Sequence, residues 1–257
     1  MKRVELTPIE HSVKIGQTCP DLEPNITEDC IFTHQGNAIG FYMRCLPKKI
    51  GKIADVADHE LRSDRVPKSE MRRSSGMHNK ELEVRQYSTI IGSIPPKPHM
   101  RRSYITRSSV HGHVSANTFI KAMNLLCLKS EQLIQQVTPE LFEAQQAAMQ
   151  GVPKKWRFGN LFTSSISNYN IPANYHRDTG NIKNTCNVII TKRRNSKGGN
   201  LHIPDYNAVI DQCDNSILVY PAWRNIHGVT PIRPTHEDGY RNSLVFYPLK
   251  AFINAET

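Results

Sequence analysis

Tyr175-His176-Arg177-Asp178 places a histidine and an aspartate two residues apart. Alternate side chains of an extended segment share a face, so this imidazole and carboxylate can converge on one metal ion. A second such triplet, His236-Glu237-Asp238, lies nearer the C-terminus. The sequel separates the two. The first is followed 49 residues after Asp178 by His227, in the run AWRNIHGVTPI, whereas no histidine follows the second. Two histidines and a carboxylate are the donor set of non-haem Fe(II) oxygenases, which keep positions open for a cosubstrate and O2.

If that cosubstrate is 2-oxoglutarate, its far carboxylate needs a cation. Arg241 stands 14 residues after His227 on an apparent strand, RNSLVFY, and Ser243 projects to the same face. A guanidinium fork matches a carboxylate with two parallel hydrogen bonds, and a hydroxyl adds another donor. Arg233 and Arg224 lie nearer His227 in sequence and compete for the same role.

The elements that must position these groups fall in three zones. Residues 161–250 carry short β-type runs, TCNVIIT (185–191), NLHI (200–203), SILVY (216–220) and RNSLVFY (241–247). Several short strands parted by turn residues predict a sandwich or jelly roll, with Asn195 and Gly198-Gly199 turning a hairpin between the first two. Upstream, residues 115–150 keep an approximate helical spacing. Ser115 is a candidate N-cap, and Thr138-Pro139-Glu140 starts a second helix. This pair is expected to be scaffold outside the strands. Residues 1–46 include a strand-like GNAIGFYMRCL (36–46). Residues 62–110 hold eleven basic and four acidic side chains, in runs such as RRSSGMHNKE and IPPKPHMRRSY. That zone reads as a surface loop or a nucleic-acid-facing arm with little to contribute to a core. The expectation is one domain, residues 1–257, divided into N-terminal strands and basic loops (1–114), supporting helices (115–160) and a jelly-roll core (161–250).

Charge narrows the partner. The 257 residues carry 33 Lys and Arg against 23 Asp and Glu, a formal net charge of +10. An excess of that size suggests a polyanion, with nucleic acid ahead of a membrane surface. No apolar run is long enough to span a bilayer, and the start, MKRVELTPIEHSVKIG, lacks the apolar core of a secretory signal. Six scattered cysteines without a C-x-x-C pair read as reduced thiols in an intracellular protein, placed in the nucleus of a eukaryote or in the cytoplasm or nucleoid of a bacterial or viral system. No nucleotide-cradling glycine loop occurs, and no obligate protein partner is evident. His111-Gly112-His113 has no carboxylate at a useful spacing and reads as surface. Tyr206, Tyr220 and Trp223 read as core aromatics that could alternatively stack on a base.

Taken together, these motifs resemble the TET/JBP dioxygenases, and the JBP-like branch in particular. The matching residues are His176 and Asp178, the turn Gly198-Gly199-Asn200-Leu201, His227-Gly228-Val229-Thr230-Pro231 and Arg241-Asn242-Ser243. The catalytic resemblance covers about 162–249, and QYSTIIGSIPPKP (86–98) looks, less specifically, like the region preceding the barrel. It implies an α+β fold with a double-stranded β-helix, or jelly-roll, core and flanking helices. It implies Fe(II) held by His176, Asp178 and His227, and 2-oxoglutarate anchored by Arg241 and Ser243. His202 falls where the TET branch places a histidine contacting the cosubstrate. The implied reaction consumes O2 and 2-oxoglutarate and hydroxylates the C5 methyl of 5-methylcytosine or thymine in DNA. The cysteine-rich zinc-binding region of animal TET proteins is missing, so their mode of DNA docking does not carry over.

A base inside a duplex must flip out to reach such a pocket. Residues 153–197 carry nine basic side chains and one acidic one. Lys192, Arg193, Arg194 and Lys197, on the expected hairpin, are the candidate DNA contacts. Two alternatives stand beside this reading. One is a 2-oxoglutarate dioxygenase acting on a protein side chain or small molecule. The other is a catalytically silent jelly roll that binds nucleic acid through its basic face.

Overall fold

The computed structural model describes residues 1–71, 86–97 and 102–255. Its larger sheet runs in the order β1 (Lys2–Glu5), β2 (Cys30–His34), β3 (Asn37–Met43), β12 (Ser216–Tyr220), β8 (Asn187–Arg194), β15 (Tyr240–Tyr247), β6 (Ser164–Tyr169), β4 (Tyr87–Ile94) and β5 (Thr106–Arg107). A smaller sheet orders β11 (Ala208–Ile210), β10 (Leu201–Ile203), β13 (His227–Val229) and β7 (Ala173–His176). A ribbon pairs β14 (Ile232–Pro234) with β9 (Ser196–Gly198). Apart from the parallel pair β1 and β2, these ladders are antiparallel. Helices α1 (Lys48–Arg62), α2 (Asn117–Val137) and α3 (Pro139–Ala148) complete the α+β, jelly-roll arrangement that the sequence implies.

The period of two along each strand sorts side chains between the faces of the large sheet. On β15, Leu244 and Phe246 join Val188 and Ile190 of β8 in a core with Ala54 and Leu61 of α1 and with Phe119, Met123 and Leu126 of α2. Burying each of the larger of these contributes roughly 1.5–3 kcal/mol. The intervening residues, Arg241, Ser243 and Val245 of β15 and Ile189 of β8, face a cavity between the sheets. A second core, with Phe32, Tyr42 and Leu218 on one side and Leu201, Ile203 and Ile210 on the other, holds the sheets together at one end. The helices therefore stiffen one face of the sheet while its other face lines the site.

Several expectations need correction. Asn195, at φ 44°, does turn the chain after β8, but no hairpin joins β8 to β10. β8 pairs with β12 and β15, β10 with β11 and β13, and the glycine turn carries the chain from one sheet to the other. The basic zone contains a buried strand one place in from the sheet's edge. Tyr87, Ile91 and Ile94 of β4 are buried, and β4 pairs along β6. Residues 72–85 and 98–101, including RRSSGMHNKE, lie outside the described residues. The large sheet draws strands from both ends of the chain. Thr138 and Pro139 start α3 as expected, whereas α2 begins at Asn117 after a 3-10 turn instead of at a Ser115 cap.

One buried carboxylate ties α1 to β15. Asp58 accepts hydrogen bonds from Tyr240 Oη at 2.7 Å, Asn242 Nδ2 at 3.1 Å and Arg62 Nε at 3.0 Å. The Arg62 guanidinium also lies 4.4 Å from the centre of the Tyr240 ring. Removing one partner of a buried charge pair typically costs about 3–5 kcal/mol. Asp58→Ala is therefore expected to lower the urea midpoint of unfolding strongly while the transition stays cooperative. An unchanged midpoint would show that this tie contributes nothing.

A candidate metal centre beside a buried arginine

Strand β7 ends at His176, and β13 begins at His227 directly opposite. This register sets the imidazoles side by side, their centroids 4.2 Å apart. A turn after β7, closed by hydrogen bonds from Asp178 N to Ala222 O (3.1 Å) and from Asn181 N to Asp178 O (3.0 Å), returns the Asp178 carboxylate to them. Its Oδ1 lies 3.5 Å from His176 Nε2 and 4.0 Å from His227 Nε2. Among the described residues this is the one cluster of three metal-ligating side chains, with donor atoms all within 4.8 Å of one another.

Each ring is fixed from behind. His176 Nδ1 lies 2.7 Å from Asn174 O, and His227 Nδ1 lies 3.1 Å from Asn225 O. A carbonyl only accepts, so the proton sits on Nδ1 and each Nε2 lone pair faces the cluster. Burial, with help from nearby His176, pushes the His227 pKa down to about 3, so that ring is neutral at ordinary pH. Desolvation raises the Asp178 pKa, opposed by His176 and by a hydrogen bond from Asn187. Asn187 Nδ2 donates to Asp178 Oδ2 at 2.9 Å, and Asn181 Nδ2 donates to Asn187 Oδ1 at 2.7 Å. That relay holds one carboxylate oxygen and leaves Oδ1 toward the imidazoles. Two imidazoles and a carboxylate, oriented in this way, fit Fe(II) with coordination positions left open.

The cluster opens into a cavity of about 520 Å³ between the sheets. Arg241 and Ser243 line it, as do Asn168, Tyr220 and Tyr247. Arg241 is only 3% exposed, its Nε has no hydrogen-bond partner, and no described carboxylate pairs with it. Burial first, and Arg193 second, push its pKa down to about 9. A buried cation without a counter-charge is costly, and an anion entering this cavity relieves that cost. Gly199 makes room for it. At φ +70°, a Cβ there would stand 2.9 Å from Arg241 Cδ. Gly198 at φ +69° is as constrained, since a Cβ would strike Pro231 O. The pair of glycines thus sets the chain crossing and the arginine's channel together.

Other expected residues sit elsewhere. His202 does not line this cavity. Its neighbour Leu201 does, so strand alternation turns His202 away, and its Nδ1 lies 2.6 Å from the Tyr175 hydroxyl. Lys192 is only 5% exposed and donates to Asp55, Asp214 and Asn215 at 2.7, 3.2 and 3.0 Å. Arg193 is spent on the Ser196, Gly198 and Gln212 carbonyls. The charged groups of these two are thus committed within the fold, and Arg194, exposed, is paired with Asp238 at 2.7 Å. Lys197 is exposed. Of the arginines competing with Arg241, Arg233 pairs with Asp21 and Arg224 lies outside the cavity. His111 Nε2 accepts from Gly92 N, and His113 meets Glu70. Tyr220 packs edge-on against the His227 ring, and the Trp223 indole donates to Thr185 O. The Asn181–Asn187 relay leaves no mark in the sequence, because an asparagine in a loop or at a strand start carries no signal beyond its type.

Comparison with known proteins agrees with this geometry. The profile of a family described as Tet_JBP, "Oxygenase domain of the 2OGFeDO superfamily", matches residues 93–250. Comparison with curated proteins gives no match. Among solved structures, NgTET1 in complex with 5mC DNA superposes with a TM-score of 0.62 at 14% identity, covering 95% of this chain and 84% of that one. OsALKBH1 gives a TM-score of 0.44 at 13% identity, covering 81% and 96% of the two chains. Full-length Neurospora crassa T7H in complex with alpha-KG gives 0.41 at 12% identity, covering 81% and 75%. At that identity the NgTET1 likeness bears on the fold, a double-stranded β-helix.

The Asn187 relay can be tested directly. Removing such a supporting hydrogen bond typically costs about 10–100-fold in metal affinity. Asn187→Leu is expected to weaken Mn(II) binding by that factor in a calorimetric titration. Wild-type affinity in the variant would show that the relay does not orient Asp178.

Proposed function

We propose that this chain, which belongs to the Tet/JBP oxygenase-domain family of the 2OGFeDO superfamily, hydroxylates the C5 methyl of 5-methylcytosine or thymine in DNA. It is an Fe(II)- and 2-oxoglutarate-dependent dioxygenase, and a His-Asp-His cluster suited to the metal is in place. The observation that carries the reading is one cavity with that cluster and the uncompensated Arg241 both in its wall.

In this reading His176, Asp178 and His227 hold Fe(II), and Arg241 with Ser243 holds the far carboxylate of 2-oxoglutarate. When bound, the metal, the cosubstrate and O2 supply the oxidising chemistry. The protein's part is placement. Asn174 O and Asn225 O keep the imidazole lone pairs aimed, Asn187 keeps Asp178 turned, and the apolar walls Ile166, Ile189, Val229 and Val245 exclude water. Support for DNA comes from the net charge of +10, the family, and the DNA-bound relative that shares the fold. The target base would flip out of its stack, at a few kcal/mol, with phosphate contacts offsetting the cost.

The test is turnover on purified protein with Fe(II), ascorbate and 2-oxoglutarate. Duplexes with and without 5-methylcytosine are digested, and their nucleosides weighed. The expected result is one added oxygen on 5-methylcytosine or thymine, lost in Asp178→Ala. Succinate released with every base unchanged would move the substrate away from DNA.

A further inference from the structure

Beside the catalytic cavity runs a groove of about 750 Å³, and the two share Arg177, Thr179 and Asn181. Four cations line it, Arg177, Lys183, Arg224 and Lys250, and no acidic residue does. Arg177, Lys183 and Lys250 are exposed and Arg224 half-buried. Among the described residues none of the four makes an ion pair. Six cations elsewhere are spent. Arg44, Arg62, Arg65, Lys192, Arg194 and Arg233 all pair with carboxylates.

The groove is also built to stay open. Trp223 in its wall is fixed by the indole bond to Thr185 O at 2.9 Å, and Lys250 N donates to Gly180 O at 3.0 Å. These bonds anchor the turn after β12 and the chain after β15 to the loop that carries Asp178. Unpaired cations around a rigid aromatic wall suit a phosphodiester backbone, because each charge can displace one condensed counterion.

We infer that this groove, and not the Lys192–Lys197 segment, holds the phosphate backbone of the DNA strand whose base enters the cavity. The inference rests on the DNA reading above and adds where the strand lies. It places the contacts at Lys183, Arg224 and Lys250, with Arg177 at the boundary of groove and cavity.

The test measures duplex binding by fluorescence anisotropy from 50 to 300 mM salt, using the full chain loaded with Mn(II). For Lys183→Ala/Arg224→Ala/Lys250→Ala, the slope of log affinity against log salt should flatten by about 2.7, at roughly 0.9 per phosphate contact. Affinity at 150 mM salt should fall more than tenfold. Single variants Lys183→Ala and Lys250→Ala should each flatten the slope by about 0.9, which keeps the test valid if the triple variant folds poorly. Arg194→Ala/Lys197→Ala should bind like wild type. Wild-type slopes in the groove variants, or loss in the Arg194/Lys197 variant instead, would overturn the groove while leaving DNA as the substrate. Failure of the wild type to bind duplex at 50 mM salt would overturn the groove together with the DNA reading. Binding to phosphatidylserine vesicles in place of duplex would assign the groove to a membrane surface and overturn it too.

Discussion

Arg241 is a charge buried without a counter-charge, and much of the architecture exists to keep it so. Its Nε has no acceptor, Arg193 adds like charge nearby, and water is largely excluded. A cation in that condition raises the free energy of the empty protein and lowers that of a complex with an anion. Tyr240 and Asn242, which flank it on β15, are clamped to Asp58 on α1, while Asn170 Oδ1 accepts from Arg241 N at 2.8 Å. Gly199 supplies the space along the side chain. The metal-ligating cluster stands in the wall of the same cavity, held by a separate set of backbone carbonyls and asparagines. Two polar devices thus meet across an apolar space, the imidazoles set by the small sheet and Arg241 by the large one, whose Asn187 also holds Asp178.

The residues that carry the chemistry were legible because their types are rare and their order informative. His176, Asp178, His227, Arg241 and Ser243 all reach one cavity, and strand alternation alone places Arg241 and Ser243 on one face. The same alternation, applied to Leu201 and His202, would have turned His202 away. What sequence could not supply was pairing. Lys192 and Arg193 read as a basic run, yet their partners Asp55, Asp214 and Gln212 lie 19 residues or more away along the chain. Helix α1 is equally readable in the sequence. Ile50, Ala54, Ala57 and Leu61 keep helical spacing, and all four are buried. Strand β4 was hidden by the basic residues on either side of it.

Net charge is a poor guide to a binding face, because it also counts cations such as Lys192 and Arg194 that carboxylates already answer. The excess matters only where it is left over. Four unpaired cations gather beside the catalytic cavity, in the loop between β7 and β8 and the turns after β12 and β15. The first of these carries Asp178 and the second borders His227, so the proposed strand contacts and the metal-ligating cluster share a frame.

The most direct measurement of the central claim is calorimetric titration of 2-oxoglutarate into anaerobic, Fe(II)-loaded protein, comparing wild type with Arg241→Met. Losing a bidentate, charge-assisted contact should weaken 2-oxoglutarate by roughly 100-fold, about 3 kcal/mol. Fe(II) affinity should be kept, and the unfolding midpoint of the ligand-free variant should hold or rise, since a buried charge has been removed. Wild-type affinity for 2-oxoglutarate in Arg241→Met would contradict the account, as the buried cation would then have some other purpose.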